Sequence, residues 1–306
     1  MAFDFYFAGS QCQETTALIK ELNANVLKSY VNDMRDILMW FENKRNGWKG
    51  KLLIDNGAFT VHRKGGTLNI DNYITWLNDN SENYDYAIAL DDIPGIWGCE
   101  KTIEDVLKSP EKTWKNYLYM VKNCKKPEKL LPVFHQGENF KYLKQIVEYT
   151  INNKPIEYIC ISGNKELTKK QRQEFYVKCY KLIKESSNPN VKTHILGSAT
   201  ISDAENFPCT SMDASSWIMT GANGSIYTDK GQMLISKGSV GDKDNVLNAS
   251  KEILSYAESV CNKYGYTIEQ VSESYKYRML VNIRWLYEQS QSCVYKGLKT
   301  TRKSLF

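Results

Sequence analysis

Short apolar runs of β type alternate with amphipathic helical stretches along the first 217 residues of the chain. Several of these runs are continuously apolar, which is typical of strands in a parallel sheet that is covered on both faces. Between them, apolar residues recur with a helical period, as in the stretches 70–77 and 175–183. Eight runs are predicted as strands: 4–8, 26–31, 51–55, 86–90, 130–134, 156–161, 192–196 and 210–213.

Eight strands that alternate with helices fit either a closed barrel or an open doubly wound sheet. The count of eight favours the barrel. No Gly-x-Gly-x-x-Gly motif follows the first strand, which argues against a dinucleotide-binding sheet. A length of 306 residues is normal for such a barrel. We therefore predict an α/β fold, a (β/α)8 TIM-type barrel that occupies residues 1–220 as the catalytic domain.

Helix starts are marked by capping residues. The spacings Thr168-x-x-Gln171 and Thr267-x-x-Gln270 match capping boxes, in which the first side chain and the fourth satisfy each other's backbone N–H groups. Asn139 precedes an apolar helical pattern and is predicted as an N-cap.

The pattern changes after residue 220, where the chain becomes rich in glycine. Residues 221–306 are expected to form a hairpin plus C-terminal helices packed on the barrel. This appendage is a candidate surface for a homodimer or for DNA, and the sequence does not decide between them. Its predicted elements are two hairpin strands, 225–228 and 232–235, and two helices, 246–260 and 271–286.

The composition is that of a soluble globular protein, with 42% hydrophobic and 25% charged residues. No run of about 18 apolar residues is present, and residues 1–4 lack the layout of a signal peptide. We expect a cytoplasmic protein with no membrane contact, or one in the host cytoplasm if a phage encodes it. Its eight cysteines form no Cys-x-x-Cys pair, so no disulfide framework is expected. A net charge of +5 permits a polyanionic partner without demanding one.

Acidic residues end three of the predicted strands. Asp55, Asp91 and Asp213 each follow an apolar run, at the edge of a dry core where an unpartnered charge is costly. In a barrel, the C-terminal ends of the strands form the active site. A single such Asp is more simply a helix N-cap. Three that converge on one mouth, together with His135 and Gln136, favour an active site.

Some neighbouring residues allow a structural as well as a functional interpretation. Gly57 and Gly163 are either turn residues that need a positive φ or places where a flat ligand lies against the backbone. His135 follows the fifth strand directly, which favours the mouth over the core. His194 lies inside a strand and is interpreted as structural.

These strand ends resemble the tRNA-guanine transglycosylase superfamily, and more closely its phage and bacterial DNA branch, which inserts 7-deazaguanine bases into DNA. The strand-end sequence Asp55-Asn56-Gly57-Ala58-Phe59 matches the family's Asp-Ser-Gly-Gly-Phe type motif, with departures at the second and fourth positions. Each segment alone is a weak match, and their common order and placement at strand ends carry the resemblance. The matching segments are 5–10, 53–60, 89–91, 132–138 and 211–217.

The resemblance implies a role for each strand-end residue. Asp213 matches the nucleophilic Asp, Asp55 the general acid/base, and Asp91 the residue that holds the guanine-type base. Gln136 and Gly163 match base-contacting positions.

Three further residues complete the predicted base-binding set. His135 belongs to it by its place at the mouth. Phe59 and Trp217 are candidates to stack on the base, although an aromatic residue beside a strand end is as often part of the core.

The chemistry follows from two carboxylates with different tasks. A carboxylate close to the anomeric carbon can capture an oxocarbenium-like centre, as in retaining glycosidases, so a glycosyl-aspartate would form on Asp213. One group whose pKa lies near the working pH can protonate the leaving guanine and deprotonate the incoming base. Asp55 suits this task, because a nearby carboxylate raises its pKa by like-charge repulsion. Asp91 would accept from the N–H and amino groups of the guanine edge, and Gln136 would donate to its carbonyl oxygen.

One departure from the family is large. The tRNA enzymes hold a structural zinc through a Cys-x-Cys-x-x-Cys motif and a distant His near the C-terminus. Here that region has only Cys261 and Cys293, without the spacing, and no His follows His194. We therefore expect no metal and no cofactor. We also expect no appended RNA-binding domain, and both departures favour DNA over tRNA.

A polynucleotide substrate needs a positively charged rim. Duplex DNA hides the anomeric carbon, so the target nucleotide must flip out or be single-stranded. Basic residues would then hold its phosphates, although each one alone equally suits a solvated surface. The candidates are Lys44, Arg45, Arg63, Lys64, Lys299 and Arg302.

The predicted function is therefore that of a DNA-guanine transglycosylase, a pentosyltransferase that exchanges guanine in DNA for a free 7-deazaguanine such as 7-cyano-7-deazaguanine. Three alternatives stay open. The first is a tRNA-guanine transglycosylase with tRNA as partner, and the second is an N-glycosidic hydrolase with water as the acceptor. The third is a non-catalytic nucleic-acid-binding barrel.

Overall fold

The computed structural model describes residues 3–9, 12–96, 98–100, 102–164, 166–197 and 200–297. It is a mixed α/β fold built around one large parallel sheet. The strands are β1 Asp4–Ala8, β2 Asn25–Ser29, β3 Leu52–Asp55, β4 Tyr86–Ile88, β5 Leu130–Leu131, β6 Val133–His135, β7 Thr150–Ile151, β8 Lys154–Pro155, β9 Tyr158–Ser162, β10 Lys192–Leu196, β11 Ser211–Ala214, β12 Ser225–Thr228 and β13 Gly231–Leu234. The α-helices are α1 Gln13–Glu21, α2 Met34–Arg45, α3 Ala58–Arg63, α4 Ile70–Asp79, α5 Ile103–Asn123, α6 Phe140–Glu148, α7 Lys169–Glu185, α8 Ile201–Asn206, α9 Ser216–Ala222, α10 Lys251–Lys263, α11 Ile268–Glu273 and α12 Tyr275–Ser292.

The large sheet is nearly closed on itself. Its nine strands lie in the order β5-β4-β3-β2-β1-β11-β10-β9-β6, and all neighbours are parallel. The two edge strands, β5 and β6, are consecutive in the chain with only Pro132 between them. Proline has no N–H to continue the ladder, whereas its carbonyl accepts a hydrogen bond from the N–H of Cys160 at 2.8 Å. The predicted fifth strand is therefore present as two pieces that pair with different neighbours, and the edges meet at Pro132.

Side chains alternate between the two faces of the sheet, which separates two apolar layers. The outer layer lies between the strands and the helices and includes Phe7, Leu52 and Phe134. Because all the strands run in the same direction, their C-terminal ends meet at one end of the sheet. The inner layer fills the curved sheet and contains Tyr6, Ala8, Leu27, Leu53, Ile88, Leu131, Val133, Tyr158 and Cys160.

All eight predicted strands are present, with bounds that differ by one or two residues. The capping boxes at Thr168 and Thr267 are confirmed, since each side chain accepts from the backbone N–H three residues later. Asn139 caps α6 as predicted, through the N–H of Lys141. The small hairpin β7–β8 was not predicted; it turns on two asparagines at positions 152 and 153 with φ of 51° and 62°.

The C-terminal region contains the expected hairpin, β12–β13, and three helices where two were predicted. The predicted helix 271–286 is interrupted at Ser274, where α11 ends and α12 begins. Fully buried Asn282 ties α12 to the rest: its side chain accepts from the N–H of Tyr227 at 2.7 Å and donates to the carbonyl of Trp217 at 3.3 Å. The domain boundary at residue 220 stays a prediction. Within the described ranges, no helix is both long and apolar enough to cross a membrane.

A buried arginine joins three of these helices. The guanidinium of Arg278 on α12 donates to the carbonyl of Gly221 at 2.7 Å, of Val271 at 2.9 Å and of Ser272 at 3.1 Å. These carbonyls lie in the last turns of α9 and α11, where helices carry partial negative charge. The cation therefore caps two helix ends at once and holds α12 against α9, the helix that follows Asp213.

We predict that Arg278→Met lowers the free energy of unfolding by about 3 kcal/mol, because buried carbonyl groups lose their donors. Arg284→Met is the matched control on the same helix. Its partly exposed ion pair with Glu21, at 3.4 Å, should contribute less than about 1 kcal/mol. Urea unfolding followed by circular dichroism measures both variants. Equal losses for the two would contradict the role given to Arg278.

Candidate active site

The structure brings three strand-end carboxylates together at one end of the sheet. Asp55 is the last residue of β3, Asp91 comes shortly after β4, and Asp213 lies in β11. The charges of Asp91 and Asp213 both raise the pKa of Asp55, which shows that the three groups share one electrostatic environment. Like charges this close cannot all ionise freely, so the partners of each carboxylate decide its protonation state.

Asp55 has little to stabilise its charge. Burial, followed by the charges of Asp91 and Asp213, raises its pKa from 3.8 to about 7. The N–H of Gly57 donates to one of its oxygens at 3.2 Å. Gly57 has a φ of 80°, and a Cβ there would lie 2.7 Å from a methyl of Val31. Glycine is thus required for the turn, which confirms the structural interpretation of this residue.

Asp91 is held ionised by its neighbours. Burial by itself raises the pKa of this carboxyl, but hydrogen bonds and the charge of His135, with a further hydrogen bond from Asn56, outweigh it and lower the pKa. Asn56 is buried and donates through Nδ2 to Asp91 Oδ1 at 3.0 Å and to the carbonyl of Ala89 at 2.8 Å. Its Oδ1 accepts from the N–H of Ala58 at 2.7 Å, so the amide is fixed in orientation.

His135 lies between two carboxylates. Its Nε2 is 2.9 Å from Asp91 Oδ2, and its Nδ1 is 2.9 Å from Glu138 Oε1. Burial lowers the pKa of the imidazole, but the two carboxylates outweigh it and raise the pKa from 6.5 to about 10. The ring is therefore an imidazolium at neutral pH, and both nitrogens donate. It acts as a fixed cation beside Asp91.

Asp213 is the third carboxylate and is 5% exposed. Its Oδ1 accepts from the N–H of Gly197 at 2.6 Å and lies 3.2 Å from Nε2 of the fully buried His194. Its Oδ2 has no hydrogen-bond partner among the described residues. One oxygen is thus anchored, and the other remains available to react.

Gln136 and Gly163 lie beside these groups at the ends of β6 and β9. The Gln136 side chain donates to the carbonyl of Gln171 at 3.1 Å and accepts from the N–H of Asn164 at 3.0 Å. It therefore ties the segment after β6 to the loop after β9 and to the first turn of α7, and both polar atoms of its amide are engaged. Gly163 is buried.

The two predicted stacking aromatics have different surroundings. Phe59, on α3 next to Asp55, is 55% exposed, which suits a side chain that covers a ligand. Trp217 is fully buried, and its indole N–H donates to the carbonyl of Ala8 at 3.1 Å. Its ring packs edge-on against Phe7 in the outer core. The prediction that Trp217 stacks on a base is therefore wrong.

The basic residues predicted for the rim divide between the two ends of the sheet. Lys44 pairs with Asp85 at 2.6 Å, immediately before β4 begins, and so lies at the end opposite the carboxylates. Arg45 ends the same helix. Both were predicted wrongly, because α2 returns along the sheet. Arg63 and Lys64 are exposed in the connection that leaves Asp55. Lys299 and Arg302 lie outside the described residues.

The two C-terminal cysteines are not neighbours. Cys261 is buried in a small apolar cluster that also contains Val271 and Val281. Cys293 follows α12 and lies close enough to Cys209 to raise that thiol's pKa. These two cysteines therefore do not form a pair of metal ligands.

Three residues contribute to the site although sequence reasoning did not place them there. Asn56 and Glu138 orient and charge the Asp91–His135 pair, and His194 contacts Asp213. The signal for His194 was its register: it lies two residues after the start of β10 on the inner face, opposite Ser211. Glu138 follows His135 by three residues, a spacing that a turn brings into contact.

Comparison with known proteins gives little beyond the geometry. No protein-family model matches the chain. A curated protein of Plasmodium berghei (strain Anka), named "Putative cysteine desulfurase PbSufS", is 24% identical over 149 residues, which is 48% of this chain. The chain spans about a quarter of that relative's length, since the match covers 24% of it. A similarity of this size assigns no family.

We predict that Asp55→Asn stabilises the protein at high pH. A folded-state pKa of about 7 against an ordinary value of 3.8 gives stability that is present at low pH and is lost as pH rises through about 7. The neutral amide escapes this loss. Because the two pKa values differ by about three units, the variant should gain roughly 4 kcal/mol in free energy of unfolding at pH 9 relative to pH 4.

Urea unfolding of Asp55→Asn and the wild type at both pH values makes the measurement. Asp71→Asn, at an exposed position in the first turn of α4, is the control and should show no such gain. The same difference between variant and wild type at pH 4 and pH 9 would mean that Asp55 titrates like a solvated carboxyl.

Proposed function

We propose that this protein is a guanine base-exchange transglycosylase that replaces guanine in DNA with a free 7-deazaguanine. The observation that carries the proposal is the contrast between neighbouring carboxylates. Asp55 has its pKa raised to about 7, whereas Asp91 has its pKa lowered. When the surroundings raise the pKa of one group and lower the pKa of its neighbour, the first group can act as acid and base and the second stays ionised.

The fold supports the proposal. We propose that the nearly closed sheet is a (β/α)8 TIM-type barrel in which β5 and β6 together form the fifth strand. In such barrels, active-site residues lie at the C-terminal ends of the strands. The three carboxylates and His135 occupy that end.

The first half of the reaction would be the departure of guanine. Asp213 Oδ2 attacks the anomeric carbon as the bond from that carbon to the guanine nitrogen breaks. The electrons of the broken bond go to the guanine ring, which takes a proton from the carboxyl of Asp55. A glycosyl-aspartate and neutral guanine result.

In the second half, the carboxylate of Asp55 removes a proton from the ring nitrogen of the incoming 7-deazaguanine. That nitrogen attacks the anomeric carbon, and Asp213 leaves as a carboxylate. Asp55 is again protonated, so the cycle consumes no proton and needs no water. A pKa near 7 lets a single group serve in both directions.

Asp91 would bind the guanine edge. Each carboxylate oxygen has two lone pairs, so Oδ1 and Oδ2 can accept from the base while they hold Asn56 and His135. Because His135 keeps Asp91 ionised, two donors on the base meet a fixed negative charge. Phe59 is the exposed aromatic that could cover the ring.

DNA is the proposed substrate, with exposed Arg63 and Lys64 beside Asp55 to contact phosphates of a flipped or single-stranded nucleotide. tRNA is the alternative substrate for the same chemistry. Sulfur chemistry, suggested by the name of the similar Plasmodium protein, has less support. A nucleophilic cysteine needs a lowered thiol pKa, and burial raises the pKa of Cys160, the thiol that faces these carboxylates.

We predict that Asp213→Asn abolishes exchange, by at least about a thousandfold, and leaves the fold intact. Labelled guanine is incubated with enzyme and, in parallel, with duplex DNA, single-stranded DNA or tRNA, and incorporation is counted. Asp79→Asn, at an exposed helix end, should behave as wild type. A covalent polynucleotide adduct on Asp213→Asn would refute the assignment of the nucleophile. Release of guanine without incorporation by the wild type would indicate a hydrolase.

We also predict the pH dependence of the first half-reaction. Guanine departure needs protonated Asp55, so the single-turnover rate of adduct formation should fall as pH rises through about 7, approaching tenfold per pH unit. Quenched-flow measurement with excess enzyme tests this. Asp55→Asn should be slow and independent of pH over the same range. A rate that rises as the pH increases through 7 would mean that guanine departure does not need protonated Asp55.

A further inference from the structure

A chain of hydrogen bonds runs from the inner core of the sheet to Asp213. The hydroxyl of Tyr158 is 2.5 Å from Ser211 Oγ, and Ser211 Oγ is 2.5 Å from Nδ1 of His194. Nε2 of the same ring is 3.2 Å from Asp213 Oδ1. These residues come from three adjacent strands, β9, β10 and β11. None of them is placed where a substrate would be, because His194 and Ser211 are fully buried.

The chain has a single consistent direction when the histidine is neutral. An ionised Asp213 only accepts, so His194 must carry its proton on Nε2. Nδ1 then accepts from the Ser211 hydroxyl, and Ser211 in turn accepts from the Tyr158 hydroxyl. Ser211 and Tyr158 therefore support the tautomer that Asp213 requires, and Tyr158 does so without a direct hydrogen bond to the ring.

The surroundings support a neutral ring. His135, the imidazolium of this site, has a carboxylate on each nitrogen. His194 has a carboxylate on one nitrogen and a hydroxyl on the other. A buried cation without a second charged partner is costly. The ring of Tyr6 packs edge-on against His194, with the ring centroids 5.7 Å apart, so an apolar contact rather than a charge faces the imidazole from this side.

We propose that His194 is a positioning residue for Asp213, locked in the Nε2–H tautomer by Ser211 and Tyr158. Together with the N–H of Gly197 it holds Oδ1, and so presents Oδ2 to the anomeric carbon. The same two donors face the oxygen that becomes the ester carbonyl of the glycosyl-aspartate. They stabilise the negative charge that returns to the carboxylate when the incoming base displaces it.

The expected effect on the rate of base exchange rests on the proposed function, whereas the expected tautomer of His194 does not. The chain contains three histidines, so the ring nitrogens can be resolved by NMR of protein labelled with nitrogen-15 histidine. At pH 8, His194 of the wild type should show one fixed neutral tautomer protonated on Nε2. His135 should be doubly protonated at the same pH.

Ser211→Ala and Tyr158→Phe are the test variants. Ser211→Ala removes the donor to Nδ1, so a fraction of His194 protonated on Nδ1 should appear, and Tyr158→Phe should produce a smaller fraction. The exchange kcat should fall roughly ten- to a hundredfold with KM changed less than about twofold, because orientation rather than binding is lost. Tyr180→Phe is the matched control: its hydroxyl is 2.9 Å from that of Thr193, a buried pair on the outer side of the same strand. It should alter neither the tautomer nor kcat.

A doubly protonated His194, or a proton on Nδ1, would overturn the proposal whatever the activity of the protein. So would an unchanged tautomer in both test variants. If the wild type shows the expected tautomer and exchanges no base, the proposed function fails while the lock on Asp213 stands. If Ser211→Ala does not fold, Tyr158→Phe provides the same comparison.

Discussion

Three carboxylates crowd the end of a nearly closed sheet, and their mutual repulsion is the constraint on which the rest of the site depends. Different hydrogen-bond donors and charges offset this repulsion at each carboxylate. Asp91 has a cation and an amide, Asp213 has an N–H and an imidazole ring on one oxygen, and Asp55 has, within the described part of the chain, one N–H from Gly57. The least relieved group takes up a proton near neutral pH. Division of labour among identical side chains thus follows from the distribution of donors around them.

The donors themselves come from backbone turns and from neighbouring strands, so the fold and the chemistry are closely linked. Asn56 follows Asp55 directly, but its side chain donates a hydrogen bond to Asp91, which comes after the neighbouring strand β4. Gly197 follows β10 and serves Asp213 on β11. In a parallel sheet all strands end at the same edge. A residue at the end of one strand can therefore donate a hydrogen bond to a carboxylate at the end of the next strand.

Much of this could be predicted from the sequence, because apolar runs ending in Asp carry both the strand and its functional end. Asp55, Asp91 and Asp213 were found in this way. Trp217 was misplaced because sequence order does not tell on which side of a strand end an aromatic ring falls. Lys44 was misplaced because its helix runs back to the far end of the sheet. The charge of His135 depends on two partners, one of them 44 residues away in the chain.

Because the sheet is interrupted at Pro132, its strands are not held together equally firmly around the whole sheet. Strands β1, β11 and β10, which hold Asp213 and its anchors, are each paired with the next strand. The edge strands β5 and β6 are the two ends of the strand order, and His135 is the last residue of β6. Edges that are not joined by ladder hydrogen bonds open more readily than paired strands. The nearly closed sheet should therefore open more readily at the wall that carries His135 than at the wall that carries Asp213. Under the proposed function, one base could then replace another while the residue that holds the sugar keeps its position.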